Sequence, residues 1–252
     1  MTWIEDYLTR IGCESPVRPG DDDLRRLHVG HLLTVPFENL SIHLGEEIVL
    51  EPEALVAKVV QRHRGGFCYE LNGAFAYLLS GLGYEVDLLA ARSHGNGRLG
   101  VPYDHLVVRA GPWLVDVGYG RHSLYPVRWD VPDEQDDPGG VFRVATTPDG
   151  DLDVLRDGEP QYRVWTRPQE LADFVTGCWW HSTSPRSHFT RSLVCSLSTM
   201  DGRVSLSGNR LIRTAGSERS EVSLTTDDEI LEAYRTHFGI ALEAVPRVRS
   251  LP

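Results

Sequence analysis

Apolar residues recur at helical intervals along the first third of the chain. In DDDLRRLHVGHLL they fall at Leu24, Leu27 and the His31/Leu32 step, behind an acidic cap region at Asp21 to Asp23, and Pro36 ends the run. EPEALVAKVVQRHR has proline in its first turn and carries Leu55, Val59 and Val60, and Gly65-Gly66 breaks it. CYELNGAFAYLLSGLG places Leu71, Phe75, Leu78, Leu79 and Leu82 at helical spacing before Gly81 and Gly83, so Cys68 heads a largely buried helix. From about Tyr84 the period changes. YEVDLLAAR, DHLVVRA, WLVDVGY, GVFRVATT, LDVLRDG and QYRVWTR are short, rich in valine, leucine and aromatics, and separated by turn residues, which predicts a β meander or barrel. PDEQDDPGG (132–140) reads as a solvated surface loop. After SPRSHF come two strands, SLVCSL and RVSLSG, a further candidate in EVSLTT, and a helix, DDEILEAYRTHFG, opened by paired aspartates and closed by Gly239. The expected class is α+β in three zones: 1–84 helical, 85–190 β, and a short α/β zone over 191–252.

Composition narrows the classes without changing that architecture. At 252 residues, 41% hydrophobic and 24% charged, the chain is a normal globular one with room for two or three subdomains. MTWIEDYLTRIG lacks a basic region followed by an apolar core, and no apolar run approaches a membrane span, so a cytoplasmic location and no membrane partner are expected. Cys13, Cys68, Cys178 and Cys195 stand far apart with no CxxC pair, which suits a reducing compartment better than a disulfide framework. The net charge of −11 argues against a nucleic-acid partner. His28/His31 and Cys178/His181 are each one turn apart, but two ligands without a third make no metal site.

Cys68 raises the chemical question. A free thiol is only a few per cent thiolate at neutral pH, and a helix N-terminus or a nearby imidazolium brings a thiol pKa down by several units. The glycines before it admit a close backbone approach and leave first-turn N–H groups pointing outward, where an oxyanion could develop. On position alone, the same residues equally suit an inert buried cysteine after a glycine break. DHLVVRAGPWLVDVGYG supplies candidate partners. With a two-residue loop at Ala110-Gly111, His105 pairs directly with Asp116; with Gly111-Pro112 they become diagonal neighbours on one face; an odd loop separates them. A carboxylate beside a histidine fixes its tautomer and steadies the imidazolium that activates a thiol. The plainer alternative makes Asp116 a hairpin cap and His105 a satisfied core histidine.

RGGFCYELN, then DHLVV and LVDVGYG, with VPFENL upstream and SPRSHF downstream, together resemble the arylamine N-acetyltransferase family from about Leu24 to Phe189. The resemblance implies a helical bundle, a β-barrel and an α/β lid around a Cys-His-Asp core like that of papain-like thiol enzymes. It implies Cys68 as acyl acceptor, His105 as base and Asp116 as orienting carboxylate, in a ping-pong transfer from acetyl-CoA to an arylamine, hydrazine or N-hydroxyarylamine. Phe37 and Tyr119 match positions lining the family's substrate pocket, and Glu38 and Arg64 match a pair read as a structural ion pair. No residue is assigned to CoA. Departures from the family pattern are Asp104 before His105, Tyr119 for the commoner phenylalanine, Arg121-His122 in a loop expected near CoA phosphates, and a short lid. They keep open a related function, an amide synthase taking a larger acyl group from a carrier protein. A thiol hydrolase or transglutaminase would share the triad but not PFENL or SPRSHF.

Overall fold

The computed structural model of the chain describes residues 2–14, 19–95 and 97–248. Helices α1 (Trp3–Arg10), α2 (Asp21–Thr34), α3 (Leu40–Leu44), α4 (Pro52–Val56) and α5 (Cys68–Gly81) account for the N-terminal zone, together with a two-residue strand, β1 (Phe37–Glu38). Tyr7, Leu24, Leu27, Leu55, Phe75 and Leu78 from these helices share one apolar core. Helix α1, held by a Thr2/Glu5 capping box, was not singled out by the periodicity. The N-cap of α2 is Gly20, and Asp21 to Asp23 occupy its first turn, where negative charge suits the helix dipole. The segment read as one helix to Gly65 is interrupted earlier: α4 passes into a π-helical turn, Ala57–Gln61, which carries the buried Lys58. The chain then turns at His63, whose φ is 51°.

The central zone is one antiparallel sheet curled into a nearly closed barrel. Its strands are β2 (Val86–Gly95), β3 (Arg98–Leu99), β4 (His105–Ala110), β5 (Trp113–Val115), β6 (Val127–Arg128), β7 (Gln135–Asp137), β8 (Gly140–Thr146), β9 (Leu152–Arg156) and β10 (Glu159–Gln169). The order is β6-β5-β4-β2-β10-β9-β8-β7, with β3 paired to β2 alone. Leu89, Val107, Leu114, Phe142, Val154 and Val164 fill the interior. The expected strand WLVDVGY stops at Val115, and Asp116 lies just beyond it.

PDEQDDPGG is more than a solvated loop. It contains β7, and its polar side chains complete the barrel: the Gln135 amide accepts from Arg128 N–H at 2.7 Å and donates to the Arg128 carbonyl at 2.9 Å. A side chain thus takes the place of a strand partner between the edge strands β6 and β7, satisfying backbone groups that would otherwise face an open edge. Asp137 likewise accepts the N–H groups of Leu124, Tyr125 and Gly139.

Helices α6 (Val175–Thr183) and α7 (His188–Arg191) lead from the barrel to a second sheet. That sheet is β11 (Val194–Thr199), β12 (Gly202–Ser207), β13 (Arg210–Ala215) and β14 (Glu218–Ser223), with β1 on its other edge: Phe37 pairs with Ser196 and Glu38 with Cys195. Helix α8 (Asp227–Phe238) covers it through Ile230, Tyr234 and Phe238. Its N-cap is Thr226 in a capping box with Glu229, one residue ahead of the paired aspartates, and Gly239 closes it in the left-handed conformation. Strand β13 was missed in the sequence.

Candidate active site

The motifs converge because PFENL binds the other two. Glu38 N–H donates to the Gly66 carbonyl at 2.8 Å, and a Cβ on Gly65 would fall 1.7 Å from the Pro36 carbonyl oxygen, so this crossing admits only glycine. On its other side, Asn39 donates to the carbonyls of Phe189 and Ser192 and accepts from Val194 N–H, which ties in SPRSHF. Phe37 consequently lies beside Phe189, with ring centroids 6.1 Å apart, and Phe67 beside Phe189 at 5.5 Å.

A set of buried charges fixes the turn that presents Cys68. Arg64 donates to Glu38 at 3.0 Å and reaches Glu46 at 3.2 Å, and Glu38 also accepts from Leu40 N–H. Lys58, the only lysine of the chain, bonds Glu70 at 2.5 Å and Ser41 at 2.8 Å, and Glu70 accepts from Phe67 N–H at the start of α5. Burial pushes the Glu38 carboxyl up, but Lys58 and Arg64 more than offset it and hold the group below its usual range. For Glu70, burial and the Glu38 charge outweigh Lys58, and its pKa is raised.

On the barrel side the hairpin turns at Gly111-Pro112, since Ala110 pairs with Trp113. This is the second of the two even-length registers, and it places His105 and Asp116 as same-face diagonal neighbours. His105 Nε2 bonds Asp116 Oδ2 at 2.7 Å, with both residues only 2% exposed. The remaining ring nitrogen, Nδ1, is left for the Cys68 thiol. Burial would lower the His105 pKa, but the Asp116 charge, its hydrogen bond and the interaction with the Cys68 sulfur raise it to about 10. Asp116 is correspondingly held well below the carboxylate range by His105. Cys68 itself is 3% exposed, with the Asp104 carbonyl 4.0 Å from Sγ. Gly118 passes so close that a Cβ there would lie 2.7 Å from Cys68 Cα.

Two residues that orient Asp116 were not identified in the sequence. Asn72 donates to Asp116 Oδ1 at 2.8 Å and to the Leu106 carbonyl at 2.6 Å, and accepts from Val117 N–H. An asparagine on an otherwise apolar helix was the available signal. His28, first considered only as half of a metal pair, donates from Nδ1 to the Leu124 carbonyl and accepts Asp116 N–H at Nε2. Its neighbour His31 instead bonds the Tyr7 hydroxyl. Among the described residues no group of three or more His, Cys, Asp or Glu could hold a metal ion, and no helix is long and apolar enough to cross a membrane. Tyr119 packs edge-on against His105 at 5.0 Å and donates to the Gln161 carbonyl. Glu38 and Arg64 form the ion pair the resemblance implied.

A thiol at a helix N-terminus, facing an imidazole–carboxylate pair on a barrel strand, is the layout of a thiol-dependent acyl-transfer enzyme. A sequence model of the N-acetyltransferase family matches residues 22–247. The arylamine N-acetyltransferase of Mycolicibacterium smegmatis is 33% identical over 94% of this chain and 91% of its own. The Salmonella typhimurium protein named arylamine N-acetyltransferase / N-hydroxyarylamine O-acetyltransferase is 29% identical, over 97% and 91%. The solved structure of Mycobacterium marinum arylamine N-acetyltransferase in complex with CoA has a TM-score of 0.84 at 32% identity, covering 94% of this chain and 92% of that one. The chain belongs to the arylamine N-acetyltransferase family, and is an acetyltransferase of that type.

Proposed function

We propose that the protein carries an acetyl group from acetyl-CoA to an arylamine, hydrazine or N-hydroxyarylamine through a thioester on Cys68. The observation that carries this reading is the His105 Nε2–Asp116 bond of 2.7 Å, which leaves Nδ1 for the Cys68 sulfur. The Cys68 thiolate attacks the thioester carbonyl, the C–S bond to CoA breaks, and the His105 imidazolium gives its Nδ1 proton to the departing sulfur. The amine nitrogen then attacks the Cys68 thioester, neutral His105 takes the nitrogen's proton, and thiolate and imidazolium are restored. First-turn N–H groups of α5 are read as donors to the oxyanion of both steps. Asp116, Asn72 and His28 position the imidazole. Phe37, with Phe189 beside it, and Tyr119 are read as the flat walls for an aromatic acceptor. The C-terminal sheet with α8 is read as the lid, and the cytoplasm as the location, since the nucleophile works only as a free thiol. The relatives named for arylamines and N-hydroxyarylamines, and the relative that binds CoA, support this choice of substrates.

The test is intact-mass analysis after incubation with acetyl-CoA alone. One acetyl group should appear, disappear in Cys68→Ser, and be discharged by an added arylamine with release of its amide. An adduct formed from carrier-bound or longer acyl thioesters but not from acetyl-CoA would make the protein an amide synthase instead.

A further inference from the structure

His181, on α6, is only 8% exposed, yet its buried Nε2 has no hydrogen-bond partner among the described residues. The ring packs edge-on against Phe189, with centroids 5.2 Å apart, and lies 6.1 Å from the Tyr69 ring. Phe189 stands in turn beside Phe37 and Phe67. The imidazole therefore continues the aromatic wall read above as one side of the acceptor pocket. It faces the Asp104 carbonyl without completing a hydrogen bond to it, and that same oxygen lies 4.0 Å from Cys68 Sγ. Burial lowers the His181 pKa to about 4 against the pull of the carbonyl, so the ring is neutral near neutral pH. Which nitrogen holds its proton follows from Ser187. The Ser187 side chain is fully buried, and its Oγ accepts Phe189 N–H at 3.2 Å as the cap of α7. The remaining partner of that hydroxyl is His181 Nδ1, also at 3.2 Å. The hydroxyl can place its proton only there, so Nδ1 accepts and Nε2 carries the N–H.

A donor sealed away without a partner is costly, and a site built around one discriminates between substrates that supply the missing acceptor atom and analogues that do not. We propose that His181 is a specificity-determining residue of the acceptor pocket, whose Nε2–H hydrogen-bonds an oxygen close to the acceptor's nucleophilic nitrogen, as in an acyl hydrazide. The Asp104 carbonyl borders both the imidazole and the sulfur that would carry the acyl group. A nitrogen attacking at Cys68 and an oxygen bonded to Nε2 are therefore near neighbours, as they are in an N–N–C=O unit. A simple aniline or alkyl hydrazine has no such oxygen and closes the pocket over an unpaired N–H. His105 serves the departing sulfur and the attacking nitrogen, so His181 moves no proton and acts by selection alone. Which acceptors benefit rests on the acyl transfer proposed above; the unpaired donor does not.

Kinetics with benzhydrazide and with benzylhydrazine, which has a methylene in place of the carbonyl, test this on wild type, His181→Phe and His181→Gln, with thermal melts as the folding control. His181→Phe keeps a flat ring against Phe189 and removes the donor. The ratio of kcat/KM for benzhydrazide to that for benzylhydrazine should fall about tenfold, and His181→Gln, which retains an N–H donor, should recover part of it. An unchanged ratio in His181→Phe overturns the proposal. So does an equal loss for both acceptors, or slowed acetylation of Cys68 with no acceptor present, since either would make His181 a structural support. Should His181→Phe fail to fold, NMR of the histidine ring nitrogens in wild type decides instead. The His181 Nε2–H signal should shift with benzhydrazide and not with benzylhydrazine, and equal responses to the two would refute the site. If acetyl-CoA never acetylates Cys68, the proposed function falls, and the same titration of the unacylated protein still decides whether His181 binds the carbonyl.

Discussion

Two buried polar networks meet at the first turn of α5, and they differ in what they leave unspent. On the helical side, Lys58, Arg64, Glu38, Glu70 and Ser41 bond to one another, to the exposed Glu46 and to the backbone around the Cys68 turn. On the barrel side, His28, Asn72 and Asp116 are equally tied, but their series ends in one imidazole nitrogen that faces the thiol. Closed charge pairs of the first kind hold a backbone in place, because removing either member strands the other in a low dielectric. An open-ended series of the second kind can accept and return a proton. On the proposed mechanism, the same degree of burial therefore serves position in one network and proton transfer in the other.

Asp116→Asn should separate these roles most sharply. It keeps the shape but takes away the charge that holds His105 protonated. Single-turnover acetylation of Cys68, followed by mass, should slow by about 10⁴-fold, close to 5 kcal/mol of barrier. The opposite pattern is expected for Glu38→Ala, which leaves Arg64 buried without its closest partner. Denaturant unfolding should reveal a loss of about 3–5 kcal/mol, while the folded fraction still acetylates within a few-fold of wild type. A stable Glu38→Ala protein slowed a thousandfold would mean that the helical-side network takes part in the chemistry, and the contrast drawn above would collapse.

Titration sharpens the comparison more gently. Burial lowers His28, and lowers His122 and His181 to about 4, so the folded protein leaves them neutral where the unfolded chain, at about 6.5, binds protons. Stability should fall as pH drops from 6.5 toward 4, by about 1–3 kcal/mol per pH unit. His105 has the opposite sign. Raised to about 10, it contributes stability that is complete below 6.5 and fades as pH rises toward 10. Urea midpoints across pH 4 to 10 check both limbs. An acid limb flat down to pH 4 would contradict the neutral buried histidines, and an alkaline limb unaltered in Asp116→Asn would contradict the raised His105.

The elements proposed to carry the chemistry were legible because they are local. An even hairpin loop constrains His105 and Asp116 to one face whatever its exact position, although the sequence left two registers open and the structure selects Gly111-Pro112. Cys68 at a helix start follows from two glycines and an apolar period. What was not legible depends on contacts across the chain. His28 reaches Asp116 over 88 residues, and no periodicity encodes that bond. Strand β13, RLIRTA, escaped because only Leu211 and Ile212 are large and apolar and the strand is half-buried at most, next to a β14 that is exposed throughout. A half-solvated edge gives little alternation to read.

The acidic loop 132–140 is solvated as expected, but the strand in it escaped for the same reason, and Gln135 gives the smallest and most specific prediction. Its amide supplies one acceptor and one donor to Arg128 at the seam of the barrel, away from both buried networks. Gln135→Leu removes both bonds and leaves a half-buried N–H and carbonyl that water can still reach, so the cost should be about 1–2 kcal/mol rather than the larger penalty of sealed groups. Hydrogen exchange at the Arg128 amide should accelerate more than exchange at Val107 and Val108 in the barrel centre, and Cys68 acetylation should be unchanged. If exchange accelerated equally throughout the barrel, the seam would be part of one cooperative unit with the site, and Gln135 would belong with the residues that position His105 rather than apart from them.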